Sequence, residues 1–81
     1  MAEKAINLQS QDGFLIRYKF GYTMRANYQT IVIYPQYLLL TTPYGGTKVV
    51  SGFNLKQYDW IKSISFGETA YNTSNGWVLA N

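Results

Sequence analysis

The chain has 81 residues, a net charge of +3, no cysteine and no histidine. That length allows one domain, and the missing residue types exclude a disulfide framework, a zinc finger, a thiolate nucleophile and the usual acid–base catalyst at neutral pH. Aromatic residues make up 17% and charged residues only 14%, against about 25% charged in an average domain, so neutral Thr, Asn, Gln and Ser must cover much of the surface. Disorder needs the opposite balance and is excluded for most of the chain. Such a composition suits surfaces that meet other surfaces, because Tyr offers broad amphipathic contact and uncharged polar groups cost less to desolvate than ions. An all-β domain also draws on Tyr, Thr and Val for its own strands.

Residues 1–12 read as a short N-terminal arm ending in a turn at Asp12-Gly13. The opening Met1-Ala2-Glu3-Lys4-Ala5 has no apolar run of the signal-peptide kind, so synthesis in the cytoplasm is expected. Phe14, Ile16, Tyr18, Phe20, Tyr22 and Met24 alternate with Leu15, Arg17, Lys19, Gly21 and Thr23. This period of two predicts one long strand over 14–24, with the aromatic face in the core and Arg17 and Lys19 in water. Arg25-Ala26-Asn27 reads as a hairpin connection to a second long strand over 28–42, in which Pro35 marks a bend, a bulge or an edge. The stretch Ile31 to Leu40 is the most apolar, but it is too short to span a bilayer, and no membrane partner is expected.

Pro43-Tyr44-Gly45-Gly46 is a turn, because proline fixes one φ and glycine supplies a positive one. Thr47 to Phe53 reads as a third strand. Asn54-Leu55-Lys56-Gln57 has the form of a helix start, with Asn54 as cap and Phe53 stapled against Tyr58, and predicts one helical turn over about 54–59. Trp60 to Phe66 is a further strand with Trp60, Ile64 and Phe66 on one face; Asn72 to Gly76 is a turn and Trp77-Val78-Leu79 a short last strand. The pattern predicts a single all-β domain: a small antiparallel five- to six-stranded barrel or sandwich with at most one short helical turn. The order of elements is loosely similar to SH3-like barrels, at the level of fold only, and implies no function.

Catalytic chemistry finds little to work with. The acids Glu3, Asp12, Asp59 and Glu68 form no evident pair, and serine catalysis would lack its histidine. Gly45-Gly46-Thr47-Lys48 lacks the spacing of a phosphate loop and follows Pro43, so it reads as a hairpin turn. No imidazole, thiolate or acidic cluster is offered to a metal. The expectation is a protein that is not an enzyme and has no cofactor or metal.

Two binding readings remain. The first is a protein-interaction or assembly module, such as a small virion structural or accessory subunit, acting through a protein partner or through self-assembly. It rests on two stretches, Ala26–Thr47 and Thr69–Asn81, that hold no ionisable side chain except tyrosine. Open strands are normally guarded by charge or proline, so Tyr37–Thr42 is either central in its sheet or paired with another chain. Tyr34, Tyr37, Tyr44, Tyr58 and Tyr71, near turns or strand ends, are the candidate contacts. An inhibitor docking on a host protein would have the same profile. The second reading is a small basic barrel that binds single-stranded nucleic acid through Arg17, Lys19, Arg25, Lys48 and Lys62. Against it, the alternation sends the first strand's aromatics to the face opposite Arg17 and Lys19, whereas stacking and charge belong on one side. Finally, with no histidine, only the α-amino group titrates between about pH 5 and 8, so stability should be flat across that range.

Overall fold

The structure, a computed structural model, describes residues 4–80; Met1, Ala2 and Glu3 of the expected arm lie outside the described residues, as does Asn81. The fold is all-β. Among the described residues, nine strands form two antiparallel sheets, with one short helix: β1 (Ile6–Gln9), β2 (Phe14–Tyr18), β3 (Thr23–Ala26), β4 (Thr30–Ile33), β5 (Tyr37–Thr41), β6 (Thr47–Ser51), α1 (Gly52–Lys56), β7 (Tyr58–Ser63), β8 (Thr69–Thr73) and β9 (Gly76–Ala80). The four-stranded sheet runs β1-β4-β5-β6 and the five-stranded sheet β3-β2-β7-β8-β9. The chain enters the first sheet with β1, crosses for the β2–β3 hairpin, returns for the β4–β5–β6 meander and crosses again for β7–β8–β9. The arrangement is sandwich-like and does not close into a barrel, which corrects the barrel alternative and the likeness to SH3-like barrels.

The five or six strands expected become nine, first because each long alternating run is broken once. Over 14–24 the break is Lys19-Phe20-Gly21-Tyr22: the Gly21 amide donates to the Tyr18 carbonyl at 2.9 Å and the Tyr18 amide to the Tyr22 carbonyl at 2.7 Å. Gly21 takes a φ of 100°, which closes the hairpin. Phe20 and Tyr22 therefore sit at an exposed turn and not in the core, 72% and 54% exposed. Over 28–42 the break is at Pro35, where the Tyr34 amide donates to the Tyr37 carbonyl at 2.9 Å. The N-terminal arm adds an eighth strand, β1, paired with β4 with Leu8 opposite Ile31, and Thr69–Thr73, where the sequence marks no strand, adds the ninth, β8.

The core lies between the sheets. Leu8, Ile31, Ile33, Leu38, Leu40 and Val50 come from the four-stranded sheet, Phe14, Ile16, Ala26, Tyr58, Ile61 and Ala70 from the other, and Leu55 from α1. Truncating a fully buried side chain such as Phe14 removes both its transfer free energy and its contacts, about 3–5 kcal/mol. Polar groups lock the crossings. The Ser63 hydroxyl, fully buried in β7, donates to the Gln9 carbonyl of β1 at 2.6 Å, so one hydrogen bond joins the two sheets. Gly13, in the turn ahead of β2, has a φ of 90°, and a Cβ there would lie 2.7 Å from the Ala26 carbonyl oxygen. Only glycine fits.

Two local expectations are corrected. The helix spans Gly52–Lys56 and begins after Ser51, not at Asn54, and Phe53 is 77% exposed, so it does not staple against Tyr58. The strand expected over 60–66 spans Tyr58–Ser63, so Ile64 and Phe66 fall in the turn beyond it and do not share a strand face with Trp60; Ile61 and Ser63 of β7 are buried.

Candidate functional site

The outward face of the five-stranded sheet follows from its register. β2 sends Phe14 and Ile16 inward, so Leu15 and Arg17 face out. Arg17 lies opposite Thr23 of β3 on one side and Trp60 of β7 on the other; Trp60 in turn lies opposite Tyr71 of β8, and Tyr71 opposite Val78 of β9. Directly opposed residues in antiparallel strands share a face. One row therefore reads Thr23, Arg17, Trp60, Tyr71, Val78, and the next Arg25, Leu15, Lys62, Thr69, Ala80. The two rows hold three cations, two aromatic rings and no acid.

The β2–β7 register shifts between Arg17 and Tyr18, so Asp59 is the extra residue of a bulge and Tyr58 returns to the core. This bulge sets the phase that brings Trp60 beside Arg17. The Arg17 guanidinium donates to the Thr23 hydroxyl at 2.9 Å, which ties it to its neighbour in the row. Arg25 donates to the Asp12 carbonyl at 2.6 Å and stays exposed. Trp60 is half-buried between its neighbours, while Tyr71 is 43% and Val78 51% exposed.

The anticipated residues separate into distinct places. Arg17, Arg25 and Lys62 share the face with Tyr71. Lys19 sits in the β2–β3 turn, its amide donating to the Gln57 carbonyl at 2.8 Å, and Lys48 lies on β6, the edge of the other sheet. Tyr34 and Tyr37 stack at 4.6 Å at the β4–β5 turn, and Tyr44 stands almost free at the β5–β6 turn. Tyr58 is a core residue, edge-on to Tyr18 at 5.0 Å, and presents no contact surface. Burial, with the neighbouring Tyr18 hydroxyl second, pushes the Tyr58 hydroxyl pKa well above the ordinary tyrosine range. Strand Tyr37–Thr41 proves central, between β4 and β6, and pairs with no other chain's strand. Trp60 was missed. Its signal was Lys62, two residues on: period two puts both on one face, and a lysine marks that face as solvent.

Among the described residues no three His, Cys, Asp or Glu side chains gather where they could hold a metal ion, and no helix is long and apolar enough to cross a membrane. This face sets broad π surfaces next to positively charged side chains. Compared with protein-family models, with curated proteins and with solved structures, the chain gives no match.

Proposed function

We propose that the protein is a non-enzymatic interaction module whose docking surface is the outward face of the five-stranded sheet, and that its partner is a protein with an acidic surface. The observation behind it is the cross-strand row Arg17–Trp60–Tyr71, flanked by Arg25 and Lys62 with no acid in either row. Trp, Tyr and Arg are the residue types that dominate interface hot spots, and a central aromatic pair ringed by Thr, Ala and Val has the anatomy of one. A particle such as a virion and a single host protein targeted by an inhibitor are both partners this chemistry accepts. The test is affinity capture with the wild-type chain, followed by titration of the captured protein against Tyr71→Ala and against Arg17→Glu with Lys62→Glu. A loss of about thirtyfold or more in both variants, with folding intact, supports the face; undiminished affinity in both overturns it.

A second reading, single-stranded nucleic acid on the same face, is favoured by one observation. Stacking rings and cations stand on one side after all, because the rings come from β7 and β8 and not from β2. Three phosphate contacts would give a salt dependence of log affinity with slope about −2. A Trp77→Phe chain leaves Trp60 as the single tryptophan reporter. Quenching of Trp60 by oligothymidylate, with that slope, supports this reading; no quenching at low salt removes it.

A further inference from the structure

Four strands lie at sheet edges: β1 and β6 in one sheet, β3 and β9 in the other. An open edge is a template for another chain, and brevity, charge or proline normally guards it. β6 carries Lys48. β3 has four residues and carries Arg25, and β1 has four residues with Lys4 just ahead of it. β9 has none of these guards. It has five residues in unbroken register against β8, and no proline or charged side chain occurs anywhere in 69–80. Val78 is 51% and Leu79 43% exposed. Between β9 and β1 the sandwich is open along a groove of about 650 Å³, whose apolar walls include Ile6, Ile33, Pro35, Trp77 and Leu79.

We propose that β9 is a self-association edge, at which two copies of this chain pair antiparallel about a two-fold axis through Val78. The occupant follows from charge and register. Each copy carries a net charge of +3, so two copies repel wherever their cations face each other. β9 is an edge strand that itself carries no charge, although Lys4 lines the groove beside it. The strand is also its own complement. A two-fold at Val78 sets Val78 against the second copy's Val78 on the outward side, and Trp77 against the second copy's Leu79 on the core side, twice. The faces match, because Leu79 registers with buried Ala70 and Trp77 with Asn72, whereas Val78 registers with outward-facing Tyr71. Such an isologous contact closes after two copies, because it uses the β9 edge of both and leaves no β9 edge for a third. The two five-stranded sheets become one, with both Arg17–Trp60–Tyr71 rows on a single surface, so a partner with repeated sites would be bound bivalently. The pairing itself stands independently of the partner proposed for that face.

The test is sedimentation equilibrium of the full chain from about 10 μM to about 1 mM, the span in which a small interface dissociates. The expected mass rises from 9.3 kDa to twice that value. Val78→Lys sets two ammonium groups opposite each other at the axis and should raise the dissociation constant at least tenfold; Val49→Lys, on the β6 edge, should leave it unchanged. A second readout needs no variant: amide exchange across Gly76–Ala80 should slow with concentration while that of β6 does not. A 9.3 kDa species throughout, a dimer unmoved by Val78→Lys, an open polymer, or exchange in β9 independent of concentration overturns the proposal.

Discussion

The outward face of the four-stranded sheet carries Asn7, Val32, Leu39 and Val49 in one cross-strand row and Gln9, Thr30, Thr41 and Thr47 in the next. The outward face of the five-stranded sheet carries Arg17, Trp60 and Tyr71 in one row and Arg25, Leu15 and Lys62 in the other. Both surfaces draw on Val and Thr, and the second also on aromatic rings, residues of good β-propensity. They differ in where charge is allowed: none in the two rows of the first, three cations in those of the second. A charge margin kept only for solubility would be spread over both. Three of the seven cations stand in the two rows beside the aromatic rings and none in the rows of the first face. The first face also exposes little apolar surface at its centre, since Val32 and Leu39 are half-buried by their neighbours and only Val49, on the edge, is freely exposed.

The largest expected effect separates the faces directly. Trp60→Ala should weaken partner binding by about 2 kcal/mol or more, the range of a hot-spot aromatic. Leu39→Thr, at the matching central place on the other face, should change affinity by less than about twofold. Titration of the captured partner against both variants checks this, and equal losses would mean that the interface does not distinguish the faces. A somewhat smaller effect concerns what holds the faces apart at a fixed angle. Ser63→Ala removes the donor to the Gln9 carbonyl and should cost about 1–3 kcal/mol of stability, read by urea denaturation, with exchange of the β1 amides accelerated more than those of β8.

Much of this sandwich was legible in the chain, and the illegible parts have local causes. The turns at Asp12-Gly13 and Pro43–Gly46 carried their own chemistry, and β9 was visible between Gly76 and the end of the chain. The run 14–24 misled because Phe20 and Tyr22 keep the alternation through a hairpin turn; Gly21 was the signal, read as a strand position when it was the left-handed residue closing the loop. The alternation groups Trp60, Ile64 and Phe66 on one face of a strand over 60–66, but β7 ends at Ser63, so of the three only Trp60 lies on it. The bulge at Asp59 reverses the phase of β7 against the Tyr58 that precedes it, and a bulge leaves no mark in hydrophobic periodicity. For the same reason the cationic candidates on β2, β3 and β7 were anticipated one by one, whereas their union with Trp60 and Tyr71 depended on which strands pair, which no local pattern encodes.

The core beneath the cationic face gives the next prediction. Tyr58 keeps its proton more tightly in the folded state, whereas in the unfolded chain it ionises near the reference value of about 10. Its contribution is therefore complete below about pH 9 and is lost as pH rises above that unfolded value, at up to about 1.4 kcal/mol per pH unit. Thermal melts should be flat from about pH 5 to 8, where no side chain with an ordinary pKa titrates, and fall in alkali. Tyr58→Phe should soften the alkaline fall without altering the plateau slope. An alkaline limb identical in the two proteins would assign it to other groups.

The smallest expected effect is at Tyr44. It is 89% exposed at the tip of the β5–β6 turn, where the fold is held by Thr42, whose amide donates to the Gly46 carbonyl at 2.8 Å and whose hydroxyl accepts from the Gly46 amide at 3.0 Å. Its ring makes no contribution to the core, so Tyr44→Ala should shift stability by no more than about 0.5 kcal/mol. It also belongs to the sheet whose outward rows hold no charge, so partner binding should be equally indifferent. A ring this exposed has a desolvation gain to offer any surface that covers it. If Tyr44→Ala abolishes binding while the melting temperature stands still, the covered surface is the turn of the four-stranded sheet, and the asymmetry of the two faces has been assigned to the wrong side. If binding and stability both persist, exposure without neighbouring charge has been shown to be insufficient in this molecule, and the cationic row is the surface that matters.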